Sequence, residues 1–459
     1  MKVTYDIKLN KNKLTIDFFI KNKKSNNLII QLPLEYGHAK KLFENIKILE
    51  SNVKFINNKC KTSKIDIHVK YTFENLSEND YHKVVIKTDY AFFNGQNGLI
   101  MVTNKKNFKV TFNINQNLFI SGIGQITSTN TYNETFVSLL RKFFVLSTNF
   151  VQHKNIIFTY YDEIHFFKPD VLSKYINETY QKYLKFFDIK DKTIFLVNYI
   201  DSKIRSGLNY GGDGLNYGVN FIVSADKLNE DDKKNLLIYI SHEVYHHFNA
   251  SSKGKTKWFN EGFTEFFCRF LILTKPLFIK EINKFVSKYY LNINKNMKLD
   301  DFNNTIYRKN PLVKSLPYTK GFMYCLYLYQ RYGDKFLEKY KKLCIKDYYK
   351  KDFTLTNDIL KSTFDDDNFN KYIINGNTIE LKHSKTRNIY EPYFDFDFNE
   401  ASDKLKINKS TGKIKSGKIE SINCYIEHDK VICVIKQNGK TIEFIAQNNN
   451  KITIPWFKN

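Results

Sequence analysis

The segment 241–246, Ser-His-Glu-Val-Tyr-His, constrains the fold more than any other stretch of this chain. If the segment is helical, His242 and His246 are four residues apart and stack on one face of the helix. Two imidazoles at that spacing can hold one zinc ion, and Glu243 between them can act on a zinc-bound water. The segment therefore predicts a helix that carries two ligands of a catalytic metal.

The residues around this segment have the pattern of a helix. Asn229 is a suitable N-cap, and the three acidic residues after it lie where the helix dipole favours negative charge. Four apolar residues form one stripe at about 100° per residue, roughly opposite the two histidines: Leu237, Ile240, Val244 and Phe248. We therefore expect one side of this helix to lie in the core while the histidines face a cleft.

A second helix is predicted between residues 258 and 270. Its phenylalanines repeat at intervals of three and four residues, as on a buried helix face: Phe263, Phe266, Phe267 and Phe270. Glu261 and Glu265 are four residues apart and share one face, so the spacing leaves both open as a third zinc ligand. A single carboxylate from this helix would leave the fourth position of the zinc for water, as a catalytic site requires.

The length and composition limit the class of protein. A chain of 459 residues favours two or three domains. No run of roughly eighteen apolar residues is present, so no transmembrane helix is expected, and an N-terminus without an apolar signal segment favours a cytoplasmic protein. The 6 cysteines are scattered, which indicates reduced thiols rather than disulfides or a cysteine zinc site.

The net charge of +25 raises the question of a nucleic-acid partner. Lysine greatly outnumbers arginine, and asparagine, isoleucine, tyrosine and phenylalanine are also abundant. These residues share A/T-rich codons, so coding bias accounts for the same profile. Because the charge is spread along the chain and not clustered, no specific nucleic-acid partner is expected.

The patterns along the chain predict a multidomain α+β protein. Residues 1–122 alternate apolar and polar residues in several segments, which predicts an antiparallel β-sandwich. Residues 123–377 have mixed patterns and become largely helical from about residue 274. Residues 378–459 return to strand patterns, as expected for a small C-terminal β-module.

The glycine-rich segment 207–218 could be mistaken for a dinucleotide-binding fingerprint. The spacing of its glycines differs from that fingerprint, and an extended run at 219–223 follows it where a helix would be required. We therefore reject the nucleotide interpretation and predict a mobile loop that leads into a strand bordering the cleft.

The motifs, taken in order, resemble those of the gluzincin zinc metallopeptidases. The His-Glu-x-x-His motif at 242–246 is followed by Asn-Glu-Gly-Phe-Thr at 260–264 and by Pro-Tyr-Thr-Lys-Gly at 317–321. This order is shared by the aminopeptidase N family and the glycyl aminopeptidase family, and the second is the closer match. The resemblance implies an N-terminal β-domain, a thermolysin-like catalytic domain with a helical subdomain, and a C-terminal module that is often PDZ-like.

The resemblance also implies a role for individual residues. His242, His246 and Glu261 match the zinc ligands, because the Asn-Glu-Gly context selects Glu261 over Glu265. Glu265 and Asn249 then become candidates for supporting the ligands from outside the metal's own shell.

Two further residues match catalytic positions of the family. Glu243 corresponds to the general base, and Tyr318 corresponds to the tyrosine that stabilises the oxyanion. Zinc is the implied cofactor, and a peptide or protein is the implied substrate.

The chain departs from the family where the substrate's amino terminus would bind. Gly214 and Asn216 match the Gly-x-x-Glu strand motif, but Asn216 stands in the position of the glutamate. The leading interpretation is an aminopeptidase-like zinc peptidase that acts on short peptides. The alternatives are an endopeptidase without amino-terminus recognition and a catalytically silent peptidase-like scaffold. Residues 378–459 also lack a typical PDZ carboxylate-binding loop.

Overall fold

A computed structural model describes most of the chain. The described residues are 1–21, 27–33, 46–73, 84–161, 166–201, 209–215, 217–224, 228–250, 256–292, 294–299, 311–350, 354–383, 385–390, 419–427, 430–437, 440–445 and 451–457. Contacts between Cα atoms divide the chain into two compact units. The first contains Met1–Gln181 and Lys190–His247, and the second contains Lys182–Ile189 and Phe248–Asn459.

The first part of unit one is built from β-strands. In chain order they are β1 (Lys2–Asn10), β2 (Lys13–Lys21), β3 (Leu28–Gln31), β4 (Ile46–Ser51), β5 (Lys59–Thr62), β6 (Asp66–Phe73), β7 (Val85–Lys87), β8 (Tyr90–Asn94), β9 (Met101–Val102), β10 (Asn107–Ile114), β11 (Leu118–Ile120), β12 (Gly124–Ile126), β13 (Asn130–Thr135) and β14 (Phe143–Leu146). Two short helices interrupt them, α1 (Gly95–Gly98) and α2 (Phe136–Leu140).

These strands form three sheets. Their orders are β13-β10-β1-β2-β6-β4, β12-β11-β14-β8-β7 and β5-β3-β9. The pairing is antiparallel, as predicted, except that β1 and β10 run parallel. The period-two pattern is realised in β1, where Val3, Tyr5, Ile7 and Leu9 are buried and the residues between them are exposed or half-buried.

A five-stranded sheet and two helices complete unit one up to the metal-site motif. The elements are β15 (Phe150–His153), β16 (Ile156–Tyr161), α3 (Pro169–Phe187), β17 (Phe195–Asp201), β18 (Asn209–Leu215), β19 (Gly218–Ser224) and α4 (Glu230–Tyr245). The strand order is β15-β16-β17-β19-β18. The last six residues of α3 and the two residues after it belong to the second unit.

The glycine-rich segment is not a loop over its described residues, and this corrects the sequence prediction. Residues Asn209–Leu215 form β18, which pairs antiparallel with β19 at the end of the described sheet. Pairing with a neighbouring strand supplies backbone hydrogen bonds that overcome the low strand propensity of glycine. Asn216 lies outside the described residues.

The second unit is helical and then returns to strands. The helices are α5 (Lys257–Ile272), α6 (Lys275–Tyr290), α7 (Pro311–Lys314), α8 (Leu316–Tyr332), α9 (Asp334–Lys350) and α10 (Asn357–Phe364), followed by one π-helical turn (Asn370–Ile374). The strands are β20 (Lys385–Tyr390), β21 (Ile419–Glu427), β22 (Lys430–Gln437), β23 (Lys440–Ile445) and β24 (Lys451–Trp456).

Helices α5 and α8 cross at a pair of glycines. A Cβ atom built on Gly262 would lie 2.3 Å from backbone atoms of Gly321, and one built on Gly321 would lie 2.1 Å from the carbonyl oxygen of Trp258. Only glycine at both positions therefore permits this backbone approach. The crossing brings the neighbourhood of Glu261 close to that of Tyr318.

This mixed α+β multidomain architecture confirms the predicted fold class. The domain boundaries at 122/123 and 377/378 stay predictions, as does the PDZ-like character of the C-terminal module. Among the described helices, none has the length and apolar character needed to cross a membrane.

Candidate metal centre

Helix α4 begins and ends at residues that the sequence singled out. The side chain of Asn229 accepts a hydrogen bond from Asp232 N at 2.8 Å, and the Asp232 carboxylate accepts from Asn229 N at 3.3 Å, so the N-terminus is capped reciprocally. The helix ends at Tyr245, and the N–H of His246 donates to the carbonyl of His242 at 3.2 Å. Burial is wider than the predicted stripe, because every residue from Ile240 to Tyr245 is buried.

His242, in the last turn of α4, and His246, the residue directly after the helix, point their Nε2 atoms at one place. These atoms are 3.0 Å apart, and the ring planes are nearly perpendicular, at 84°. Two nitrogen ligands of tetrahedral zinc are roughly 3.3 Å apart, because each lies about 2.05 Å from the metal. The ring arrangement therefore fits a shared zinc ion with only a small adjustment.

A carboxylate completes the candidate donor set. One ligand atom from each of His242, His246 and Glu261 lies within 4.8 Å of the others. Two imidazoles and one carboxylate form a donor set that catalytic zinc uses, with its fourth position open. One ligand atom from each of His242, Glu265 and Cys268 also lies within 4.8 Å of the others.

Comparison with solved structures identifies the fold. A protein from Idiomarina loihiensis described as an aminopeptidase N family protein superposes with a TM-score of 0.69 and 13% identity, over 98% of this chain and 97% of that chain. The chain has the fold of an aminopeptidase N family protein. Native yeast LTA4 hydrolase matches less well, with a TM-score of 0.48 and 12% identity, over 83% of this chain and 69% of that chain.

The first of these matches carries the fold assignment. No protein-family model matches the chain, and no curated protein matches it by sequence. The predicted resemblance to the gluzincin peptidases is thus confirmed for the fold, while the closer match to the glycyl aminopeptidase family stays a prediction. At this level of identity, the chemistry has to be argued from the residues themselves.

Within this aminopeptidase N fold, Arg269 forms an ion pair with the carboxylate of Glu265. Arg269 Nη1 donates to the side chain of Glu265 and, at 3.0 Å, to the Glu265 carbonyl, while Arg269 Nε donates to Glu281 at 3.0 Å. Burial opposes the charge of Arg269, but the carboxylates of Glu265 and Glu281 outweigh it and raise the pKa of Arg269. An ion pair competes with metal coordination, so Glu265 would have to give up its bond to Arg269 in order to bind a metal ion.

Cys268 is a neighbour of the centre that the sequence analysis did not single out. It is buried and free, and it lies three residues after Glu265 on α5. The i, i+3 spacing from Glu265 was the available signal. That signal was weak because the sequence left the orientation of α5 undetermined.

Asn249 supports the chain around the centre. Its Nδ2 donates to the carbonyl of Asn260 at 3.0 Å and to Oγ1 of Thr264 at 3.0 Å, and its Oδ1 accepts from the hydroxyl of Tyr340 at 3.0 Å. Asn249 is only 3% exposed. Its side chain is therefore bonded to the first two turns of α5 on both sides of Glu261 in the sequence.

Glu243 and Gly214 lie on the two elements that meet beside the histidines. Glu243 is buried, with 8% of its surface exposed. A Cβ atom built on Gly214 would lie 3.7 Å from Cβ of His246 and 3.8 Å from the carbonyl oxygen of Glu243. Strand β18 thus passes directly over the C-terminal end of α4, where Glu243 and His246 lie.

Tyr318 lies in the first turn of α8 and is half-buried. The ammonium of Lys257 lies 5.9 Å from the centre of the Tyr318 ring, a distance at which a cation interacts with an aromatic face. Lys257 and Glu261 are four residues apart and therefore share one face of α5. The Tyr318 ring consequently lies on the side of α5 that carries Glu261.

Proposed function

We propose that this protein is a zinc-dependent peptidase. The convergence of His242, His246 and Glu261 is the observation that carries the proposal, since these three donors match the requirements of a catalytic zinc ion. The aminopeptidase N fold supports it independently of the donor geometry.

In this proposal His242, His246 and Glu261 hold the zinc ion. When bound, zinc supplies a Lewis acid and lowers the pKa of water at its open position to ~7. The remaining chemistry belongs to side chains of this chain. Glu265 and Asn249 keep the ligand-bearing segments in place.

Glu243 is the proposed general base. Its carboxylate takes the proton of the attacking water and returns it to the leaving amine as the peptide bond breaks. Proton transfer of this kind contributes on the order of 100- to 10,000-fold to the rate. Burial of Glu243 supports the assignment, because a shielded carboxylate is kept apart from bulk water.

Tyr318 is the proposed oxyanion donor. Its hydroxyl would donate a hydrogen bond to the oxygen of the attacked carbonyl as negative charge develops there. Loss of one such donor costs roughly 3 kcal/mol of transition-state stabilisation.

Strand β18 is the proposed binding edge for the substrate. It stands at the end of the described sheet, and an extended peptide can add to such an edge through main-chain hydrogen bonds. Gly214 adds no side chain between this edge and His246. The leading specificity is aminopeptidase-like action on short peptides.

Endopeptidase action is the second candidate, and one sequence observation favours it. The glutamate that holds a substrate's amino terminus in the family is replaced by Asn216. A neutral amide binds an ammonium group less strongly than a carboxylate does. Substrates with blocked amino termini would then be cleaved as well as free ones.

Metal analysis combined with a fluorogenic peptide panel tests the proposal. We expect about one zinc ion per chain of purified protein and cleavage of short peptides. A preference for free amino termini would identify an aminopeptidase, and cleavage of acetylated peptides would identify an endopeptidase. Zinc binding without turnover on any peptide would favour the silent scaffold, and a failure to bind zinc would overturn the metal centre.

Two histidine variants provide a matched comparison for the metal analysis. His246→Gln should abolish stoichiometric zinc binding, because it removes one proposed ligand. His153→Gln should leave zinc binding unchanged, because His153 lies in β15, at the opposite end of the sheet from β18.

A further inference from the structure

Lys320 is a buried lysine held by backbone carbonyls. Its side chain is in α8 and is fully buried, at 0% exposure. Its Nζ donates to the carbonyl oxygens of Lys295 at 3.0 Å, Met297 at 2.9 Å and Gly376 at 2.7 Å. A protonated lysine has three N–H donors and no acceptor, so these three bonds use all of its hydrogen-bonding capacity.

Holding a helix with a buried lysine costs free energy, because the charged ammonium is removed from water. Burial disfavours the charged form and lowers the pKa of Lys320 to about 7. An apolar side chain of similar length would fill the same space without that penalty. The ammonium instead provides three directional bonds to two separate segments, 294–299 and 375–378.

The clamp acts on the turn of α8 that carries Tyr318. Lys320 follows Tyr318 by two residues, which places the two side chains roughly 200° apart around the helix, at about 100° per residue. Bonds on the Lys320 side therefore fix the rotation of α8 that directs Tyr318 toward Lys257 and the Glu261 face of α5. The close approach of Gly321 to the carbonyl oxygen of Trp258 fixes the distance between this turn of α8 and α5.

Within the described part of the chain, the N-cap residue of α8 does not cap the helix with its side chain. Ser315, its N-cap residue, makes no side-chain hydrogen bond to the first N–H groups of the helix. Its hydroxyl lies 3.5 Å from Nδ2 of Asn292 instead. The carbonyl oxygen of Ser315 accepts hydrogen bonds from Thr319 N at 3.0 Å and from Thr319 Oγ1 at 3.2 Å, so the bonds of Lys320 add to these restraints on the same turn.

We propose that Lys320 is a positioning residue for Tyr318, acting through its three-carbonyl clamp on the first turns of α8. The inference rests on the proposed function, in which Tyr318 stabilises the oxyanion. A misplacement of about 1 Å at a reacting group can lower a rate by roughly 100-fold. The clamp therefore matters for the rate of the chemical step and not for the binding of zinc.

A double-mutant cycle tests this relation between the two residues. Lys320→Met removes the ammonium and keeps most of the side-chain volume, and we expect kcat to fall roughly 10- to 100-fold with KM and zinc content unchanged. In the Tyr318→Phe background the same change should lower kcat by less than about threefold, because the hydroxyl to be positioned is already absent. Equal effects in both backgrounds would overturn the proposal.

A spectroscopic readout separates this inference from the proposed function. We would place 3-fluorotyrosine at position 318 and record its 19F resonance in the full-length protein. Lys320→Met should shift or broaden that resonance even if no peptide is cleaved. An unchanged resonance in a folded Lys320→Met variant would contradict the clamp, whereas a shifted resonance without peptidase activity would contradict only the proposed function.

Two more variants complete the experiment. Lys314→Met removes one positive charge from an exposed site on α7 and should change neither kcat nor the 19F resonance. If Lys320→Met does not fold, Lys320→Gln takes its place, since its amide keeps two N–H donors. That variant should give a smaller shift in the same direction, and no shift in it would count against the proposal.

Discussion

Glu243 and Glu265 are both carboxylates near His242, but their surroundings give them different chemistry. Arg269 binds the side chain of Glu265, so proton uptake there would give up an ion pair. Glu243 follows His242 directly in α4 and lies under β18, where a peptide is proposed to bind. At the scale of single residues, these surroundings support the proposal that Glu243 transfers the proton and that Glu265 supports the centre.

Replacement of Glu243 by glutamine tests this division of roles. We expect Glu243→Gln to keep stoichiometric zinc and to lower peptide hydrolysis by on the order of 100- to 10,000-fold, because an amide cannot accept the proton. Zinc content by metal analysis and initial rates on the best peptide substrate would check this. Glu230→Gln, an exposed change on the same helix, should retain the parental rate, and near-parental turnover in Glu243→Gln would disprove the assignment.

At the scale of elements, the position of the centre depends on how closely α5 and α8 approach. The glycines of two sequence motifs, Asn-Glu-Gly and Lys-Gly, meet at their crossing. A resemblance to a family shows that these glycines belong to a motif but gives no physical reason for them. The structure gives each a physical reason, namely that the backbone of one helix occupies the space of a Cβ on the other.

Gly262→Ala and Gly321→Ala should both destabilise the fold. The added methyl groups would meet backbone atoms at 2.3 Å and 2.1 Å, so the helices have to separate, and we expect a loss of about 3 kcal/mol in the free energy of unfolding. Gly214→Ala is the matched control, because its methyl group would meet nothing closer than 3.7 Å. Urea unfolding of the three variants would check the order, and equal stability for all three would contradict the crossing.

The Arg269–Glu281 ion pair links α5 to α6 and makes stability depend on pH. Burial acts to raise the pKa of Glu281, but Lys284 and Arg269 outweigh it, so the folded-state pKa lies below the ordinary value of 4.5. A carboxylate with a lowered folded pKa stabilises the native state above its unfolded pKa. That stabilisation is lost as the pH falls through the folded pKa.

Glu281→Gln should therefore be less stable than the parent at pH 7 and approach it at low pH. Because the change leaves a buried arginine without one partner, we expect a loss of about 3 kcal/mol at neutral pH. Urea unfolding at several pH values from neutral to below 4 would measure the difference. Glu338→Gln on the exposed side of α9 should show almost no difference at any pH, and a pH-independent loss for Glu281→Gln would argue against the ion pair.

The sequence predicted the local features of the elements well, and the reason is physical. The cap of α4 forms between residues three positions apart, and the alternating burial of β1 follows from the geometry of a single strand. Short stretches of sequence therefore contain both signals. The glycine-rich segment 207–218 was expected to be a mobile loop, but its residues 209–215 form a strand. Their strand depends on pairing with β19, which a local pattern does not contain.

The same distinction applies to the site. The spacing of His242 and His246 was sufficient to predict that their rings converge, because helix geometry fixes it. The spacing alone left Glu261 and Glu265 open, and only the resemblance to a family selected Glu261. The bond of Arg269 to Glu265 and its bond to Glu281 on α6 depend on tertiary packing, which the spacing does not contain. The clamp around Lys320 joins residues 25, 23 and 56 positions away in the chain, so no local signal indicated it.

At the scale of the whole molecule, a bound metal ion adds to the stability of the native state. The proposed ligands come from residues that are nearly 20 positions apart, and they converge only when the chain is folded. A ligand that binds the native state alone stabilises it by about 4 kcal/mol when present at roughly 1,000 times its dissociation constant. Metal removal should therefore lower the melting temperature of the protein.

We expect a strong chelator to lower the melting temperature of the parental chain and zinc to restore it. The effect follows from mass action and does not require that the protein cleave any peptide, so it tests the metal centre independently of catalysis. The chelator should have almost no effect on His246→Gln, because that variant has already lost one proposed ligand. Differential scanning calorimetry of both proteins, with and without chelator, would measure the shifts. Identical melting temperatures for the parental protein before and after complete metal removal would contradict a zinc ion held by His242, His246 and Glu261.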